Sequence, residues 1–330
     1  MTTAIDDELE SVLTDQPASG TERGVGTHAL YQRWENQHWA VGELDYDRDR
    51  AVWAKLRPFH RQELMRSLAE IEVGEASVTA TLSSLIEHAR FEGDQLYLAT
   101  QIADEARHVK FFQTYLEQVI GIDVAAETPQ LRAGTDYGHY FDPELRRVTK
   151  NVHLNSGDPV AWQAASTYYH LATEGILAAT GLRTTRRLAR TLGLPVLDAG
   201  LTNVTRDESR HISFGLLAAR RAVSEGLGAS LAATYTEAIE LAALVLVGPR
   251  TKQPTPVIRV GLEQRAAQLR GVWSTARERV ARQLHSIGLP AAVPAATDAF
   301  DRAIDRALDA YSGQWDLPHP VRSVPASDAE

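Results

Sequence analysis

Two five-residue segments carry the strongest chemical signal in the chain: Asp104-Glu105-Ala106-Arg107-His108 and Asp207-Glu208-Ser209-Arg210-His211. Each lies in a stretch of helical periodicity. On a helix, positions i and i+3 share a face, so Glu105 with His108, and Glu208 with His211, each present an oxygen and a nitrogen donor on one side. A lone Glu-x-x-His pair is more often a solvated contact than a site. Two copies in separate helices point instead to a two-metal centre, which also needs one carboxylate from each of two further helices. Glu174 qualifies because it sits in the mostly apolar run 168–177, where an unpaired buried carboxylate is costly and a cation would compensate it. Glu75 is the other candidate, among small residues that let a partner helix approach; Glu72 is its rival in less apolar surroundings. The expected ligands are therefore Glu75, Glu105, His108, Glu174, Glu208 and His211. Asp104 and Asp207 are either solvated helix charges or acceptors for the other ring N–H of a ligand histidine, fixing its tautomer. Arg107 and Arg210 are expected to be solvated or salt-bridged, with no specific role.

The elements that must position these residues are helices. Pro58 suits a first helical turn, where its missing N–H would be unpaired anyway. Residues 59–89 then run as one helix, the polar patch Glu92-Gly93-Asp94 breaks it, and residues 95–119 resume helical periodicity until Gly121. Residues 122–159, punctuated by Pro and Gly, form a long crossover with a short helix near 144–152. Helical patterns return at 160–180, 181–192, 196–225 and 229–247, and again at 260–285 and 297–312. Helices joined by one long mid-chain crossover predict an all-α, ferritin-like four-helix bundle core with additional helices. The expected organisation is a mobile leader at 1–27, a ferritin-like dimetal domain at 28–248, a C-terminal helical layer at 249–314 packed on the bundle, and an extended tail at 315–330. Residues 30–53, with Trp34, Trp39, Tyr46 and Trp53, suit an irregular or short-helical layer over the core.

Composition narrows the chemistry. With no cysteine among 330 residues, thiolate chemistry and cysteine-ligated metals are excluded, leaving His and carboxylate as ligands. A net charge of -9 gives no electrostatic case for nucleic acid or an anionic membrane surface. The acidic N-terminus is unlike a secretory signal, and no uninterrupted apolar run of about 18 residues suggests a membrane span. A cytoplasmic protein is expected.

Over residues 30 to 220 the motifs resemble those of ribonucleotide reductase small subunits and, more closely, of their relatives the ligand-binding oxidases with a manganese–iron cofactor. In the oxidases the ligand of the first helix lies in Gly-Glu-x-x-Val-Thr, matched here by Gly74-Glu75-Ala76-Ser77-Val78-Thr79. Their third-helix ligand follows a Tyr by five positions and opens Glu-Gly-x-Leu-Ala, matched by Tyr169 and Glu174-Gly175-Ile176-Leu177-Ala178. One departure is that the Gly-Glu segment lies a few residues nearer the second-helix motif, which a shorter connection near Gly93 would explain. The region beyond Gly248 carries no motif that aligns.

The resemblance implies a dimetal oxidase that uses dioxygen to oxidise a C–H bond at one Mn and one Fe ion, with two Fe ions as the alternative. It also implies an ether cross-link between Val78 and Tyr169, which residue types alone would read as plain core. A long-chain fatty acid or similar hydrophobic carboxylate is the implied ligand, and a homodimer the implied assembly. Phe112 occupies the place where the reductases keep their radical-bearing Tyr and cannot store such a radical. The last tyrosine is Tyr311, so the tail lacks a residue for radical transfer and no reductase large subunit is expected. The alternatives are a reductase small subunit without the tyrosyl radical, or a ferritin-like metal-binding or oxygen-scavenging protein.

Overall fold

Pro58 opens the first long helix from its first turn, after an extended Arg57 that no side chain caps. That helix and its neighbours were resolved in a computed structural model that describes residues 26–124, 134–250 and 259–324. The expected leader, apart from residues 26 and 27, lies outside the described residues, as do Pro129, Pro254, Pro256 and the end of the tail. Among the described residues there is no strand.

In chain order the helices are α1 (Thr27–Asn36), α2 (Asp47–Trp53), α3 (Pro58–Glu87), α4 (Glu92–Tyr115), α5 (Asp142–Leu154), α6 (Pro159–Ser166), α7 (Ala179–Leu192), α8 (Pro195–Ser224), α9 (Gly228–Val247), α10 (Arg259–Ser286), α11 (Val293–Trp315) and α12 (Pro320–Ser323). A π-helical segment, Thr167–Ala178, joins α6 to α7 without a break. Short π turns extend α4 (Leu116–Ile120) and precede α5 (Tyr137–Phe141).

The helix boundaries follow local chemistry. Gly121 and Gly193 adopt left-handed backbone at φ +85° and +72°, which ends the preceding helix, and Pro195 starts the next. The polar patch at 92–94 is the first turn of α4 rather than a break. Phe91 is the extended residue before it, and Glu92 and Asp94 favour the positive end of the helix. The tail after α11 is not wholly extended, since Asp316 turns the chain at φ +50° and α12 follows.

Helix α8 receives a cap from far away in sequence. Its N-cap residue, Leu194, offers no side-chain acceptor; instead Asp49 of α2, fully buried, accepts the backbone N–H of Val196 at 3.1 Å and of Leu197 at 2.9 Å. Tyr115 donates its hydroxyl to the same carboxylate at 2.9 Å. The short-helical layer thus fixes where α8 begins.

Helices α3, α4 and α8 with the π segment form the bundle, and each interrupts its apolar face at mid-length. On α3, Leu64 and Leu68 precede Glu72 and Glu75, and Val78 and Leu82 follow; on α4, Tyr97 and Leu98 lie on one side of Glu105 and His108, Phe111 and Phe112 on the other. Two apolar clusters result, separated by a layer of buried charge. Close approach at α8 depends on two glycines. A Cβ at Gly200 would stand 2.1 Å from the Phe111 ring, and one at Gly215 would stand 2.3 Å from the His170 Cβ.

Helix α9 is apolar and long enough to cross a membrane by length and composition. Its buried face, Leu231, Tyr235, Ala238, Ile239 and Ala242, packs into the larger cluster alongside α11 and the π segment.

Candidate metal centre

The charged layer brings four carboxylates and two imidazoles to one point. His108 Nδ1 lies 3.3 Å from Glu75 Oε2, 3.4 Å from Glu208 Oε1 and 3.6 Å from Glu105 Oε2. His211 Nδ1 lies 3.2 Å from Glu105 Oε1, 3.3 Å from Glu174 Oε1 and 3.6 Å from Glu208 Oε2. Glu105 and Glu208 therefore each turn one oxygen toward either histidine, whereas Glu75 serves only the His108 side and Glu174 only the His211 side. Two groups of donor atoms emerge, one from Glu75, Glu105, His108 and Glu208, the other from Glu105, Glu174 and His211. Glu72 is buried as well but belongs to neither group.

Several of these buried atoms have no hydrogen-bond partner in the protein: Glu174 Oε2, Glu208 Oε2 and His211 Nδ1. Buried polar atoms without partners are rare in folded proteins, and here they all face one small volume. Protons partly substitute for cations. Burial, with Glu105 adding to it, raises the Glu75 carboxyl well above its ordinary range, and burial pushes Glu174 up to about 8. Burial alone would lower both histidines, but the surrounding carboxylates outweigh it and raise them well above the ordinary value. Four carboxylates match the charge of two divalent cations, and an oxygen–nitrogen donor set suits transition metals. The residues present fit a dimetal pair.

Behind each imidazole lies an aspartate from the other helix. His108 Nε2 is 3.1 Å from Asp207 Oδ2, and His211 Nε2 is 3.2 Å from Asp104 Oδ2. Trp34 donates its indole N–H to Asp104 at 2.9 Å and Trp39 donates to Asp207 at 2.8 Å, so the tryptophan layer reaches the centre through hydrogen bonds as well as packing. Arg210, fully buried, donates to both aspartates, at 2.9 Å and 2.5 Å. Arg107 contacts the same pair at 2.9 Å and 3.4 Å and stacks over Trp39. Neither arginine is a solvated charge: two arginines balance two aspartates, leaving the four glutamates unbalanced.

Gln101 is a further member of the centre. Its amide donates to Glu174 Oε1 and to the Tyr169 hydroxyl, both at 2.9 Å, while its carbonyl faces His170 Nε2 at 3.2 Å. The signal for it was present, because Gln101 lies one turn before Glu105 on the same helix face. Tyr169 in turn donates to Glu105 Oε1 at 2.8 Å. His170 is pushed down to about 3 by burial, so it is neutral at ordinary pH.

Tyr169, His170 and Glu174 all lie in the π segment, where the periodicity of residues 160–180 had predicted an ordinary α-helix. Runs of π-helix are rare and cluster at functional sites. The C-terminal layer supports this one: Gln283 of α10 packs against Gly175, donates to the Leu171 carbonyl at 3.1 Å and accepts from Tyr235. Phe112 is fully buried beside Phe111 in the second apolar cluster, with a ring-centroid distance of 5.1 Å.

A cavity of about 230 Å³ opens from the centre. Glu75, Glu105, Glu174 and Glu208 line its inner end together with Val78 and Tyr169, and Ile71, Leu177, Leu246, Leu269 and Val272 line its apolar walls. Gly74 also lines it, and a Cβ there would meet nothing within 4 Å. At Gly74, then, small size leaves open space rather than admitting a partner helix. Leu269 and Val272 come from α10, so the region that carries no alignable motif supplies one wall.

An all-helical bundle with two Glu-x-x-His pairs and two further glutamates converging inside it has the ferritin-like dimetal-carboxylate architecture. More particularly, the chain matches the family model of the ribonucleotide reductase small chain over residues 26–243 and belongs to that family. Among solved structures it is similar to the R2-like ligand-binding oxidase from Sulfolobus acidocaldarius, with a TM-score of 0.60 and 21% identity over 85% of this chain and 90% of that one. It is also similar to a point mutant of an R2-like ligand-binding oxidase with an anaerobically reconstituted Mn/Fe cofactor, with a TM-score of 0.56 and 20% identity over 85% and 92% of the two chains. At these identities the likeness is one of fold.

Proposed function

We propose that this protein is a dimetal oxidase whose ligands are Glu75, Glu105, His108, Glu174, Glu208 and His211, and which acts on a hydrophobic carboxylate such as a long-chain fatty acid. The observation that carries this reading is the cavity, which joins the carboxylate cluster to apolar walls of α3, the π segment and α10. Held there as one manganese and one iron, the ions supply the dioxygen-dependent oxidation of a nearby C–H bond. The chain's own residues do the rest. Glu105 and Glu208 each reach toward both histidines, and Asp207 and Asp104 hold His108 and His211 with their Nδ1 atoms toward the centre. The apolar walls keep water from the reacting end and leave room for an acyl chain.

Val78 and Tyr169 share the inner end of the cavity, and an ether bond between them is part of the proposal. It forms with loss of one hydrogen from the Val78 side chain and one from the Tyr169 hydroxyl, both passing to dioxygen. Gln101 and Glu105 hold the Tyr169 oxygen in place for it. A homodimer in the cytoplasm, without a reductase large subunit, completes the reading; a bundle domain over 28–248 carries the centre, and a C-terminal helical layer over 249–314 packs on the bundle, its α10 lining the cavity.

The test is metal analysis and peptide mass measurement on protein loaded anaerobically with Mn(II) and Fe(II), before and after air. One manganese and one iron per chain, with a two-hydrogen loss joining the Val78 and Tyr169 peptides, is expected. Two metals with no mass loss would favour a reductase-type subunit lacking the tyrosyl radical, a reading that family membership supports. Protein that binds no metal would end the proposal.

A further inference from the structure

A second group of metal-ligating side chains lies far along α3 from the central cluster, at its C-terminal end. Glu87 is the last residue of α3, His88 its C-cap, and His153 stands on the last turn of the crossover helix α5. His88 Nε2 and His153 Nδ1 face each other at 3.3 Å, and Glu87 Oε2 lies 3.7 Å from the first and 3.6 Å from the second. The rings meet edge to face at 78° rather than stacked, and one atom from each of the three side chains lies within 4.8 Å of the others.

The other nitrogen of each ring is held by a serine. Ser84 Oγ lies 2.7 Å from His153 Nε2, and Ser156 Oγ lies 3.2 Å from His88 Nδ1. A hydroxyl that accepts from the outer N–H leaves the inner nitrogen as a lone pair, and this is how ligand histidines are oriented at metal sites. With both serines accepting, two lone pairs confront each other at 3.3 Å, and a cation between them resolves the repulsion.

The spacing also fits. Two ligands at about 2.1 Å from a tetrahedral ion lie roughly 3.4 Å apart. The three edges observed, 3.3, 3.6 and 3.7 Å, make one face of such a tetrahedron, with the fourth corner toward solvent.

From this geometry we infer a second divalent-cation site, formed by Glu87, His88 and His153 and selective for a borderline ion of the zinc class, that pins the crossover helix to the end of α3. Two imidazoles and a single carboxylate favour such an ion over magnesium or calcium, which prefer all-oxygen sites. Because α3 also carries Glu75 and Val78, an ion here ties the crossover to the helix that lines the cavity. The site depends on neither the identity nor the presence of the central metals.

The test is a cobalt titration of the full chain after the central cluster has been filled with manganese and iron and excess metal removed. One further Co(II) per chain should bind, with the intense visible absorption of a tetrahedral ion, and zinc should displace it. H88A and H153A should each remove that equivalent while leaving the manganese and iron content unchanged. Zinc should raise the melting temperature of the native protein but not that of H88A or H153A, and S156A, which loses the hydroxyl that orients His88, should need about 10–100-fold more zinc for the same rise. Equal cobalt uptake by the native protein and both histidine variants would overturn the inference, as would native protein that takes up no extra cobalt at millimolar concentration. The second result would leave a neutral hydrogen bond between the two imidazoles as the account of their contact.

Discussion

The two Asp-Glu-x-Arg-His segments are nearly the same in sequence and differ in what surrounds them. In the α4 copy, Glu105 accepts the Tyr169 hydroxyl, and Arg107 is partly exposed over Trp39. In the α8 copy, Glu208 keeps an oxygen without a partner, and Arg210 is sealed between both aspartates. The aspartates cross over, that of α4 serving the histidine of α8 and the reverse. A shared motif fixes which donors appear on a helix face. The neighbouring helices decide what each donor does.

The sharpest way to break the pseudo-symmetry is at the arginines. Arg210→Ala leaves two buried aspartates short of a counter-charge and should cost about 3–5 kcal/mol in urea unfolding of the metal-free protein. Arg107→Ala removes the less buried partner while Arg210 still faces both aspartates, and should cost less, about 1.5–3 kcal/mol. Equal losses would mean that the aspartate pair treats the two as equivalent.

The crossing can be tested through metal affinity. Asp207→Asn should weaken the ion on the His108 side, and Asp104→Asn that on the His211 side, each by about 10–100-fold in competition titrations with a chelator. If each variant instead weakened the ion on its own helix, the crossed hydrogen bonds would have no bearing on the metals.

Acidity gives a third probe. Glu75, Glu174, His108 and His211 all hold protons more tightly in the folded chain than their ordinary values allow. Raised groups stabilise the fold at low pH and lose that contribution as pH rises through the folded value, which for Glu174 is about 8. The metal-free protein should therefore unfold at lower urea concentration at pH 9 than at pH 6. Loading metal should release protons, seen as a dependence of the calorimetric heat on buffer ionisation, and should tighten as pH rises.

The smallest effect is expected at the difference between Glu105 and Glu208. Tyr169→Phe removes the hydroxyl that distinguishes them and should cost about 1 kcal/mol in thermal or urea unfolding. It should also abolish the two-hydrogen mass loss, if that loss arises at Tyr169.

What the sequence made legible was local. The spacing of Glu105 to His108 and of Glu208 to His211 is a property of one helix, and Pro58, Gly121, Gly193 and Pro195 marked helix ends through their own backbone chemistry. What it left obscure depended on packing between distant segments. The cap on α8 comes from Asp49, the balance of Asp104 and Asp207 from two arginines and two tryptophans, and the cavity wall from α10. The π register of residues 167–178 was hidden for a related reason. The change from an i→i+4 to an i→i+5 backbone bond leaves no composition signal, and here Gln283, more than a hundred residues away, satisfies one of its carbonyls.

Gly200 and Gly215 set a mechanical tolerance for the whole centre. They sit on either side of Glu208 and His211, separated by about 22 Å of helix axis at 1.5 Å per residue, and each is a point where α8 touches a facing element with no side chain between. A single methyl at either end would push that end of α8 outward by more than the roughly 0.2 Å by which metal–ligand bonds can vary. The helix would then pivot, and the gap between its donors and those of α4 would open unevenly, affecting one ion more than the other. The least conspicuous residues of α8, with no chemistry of their own, are thus the ones that calibrate the distance across which its chemistry is done.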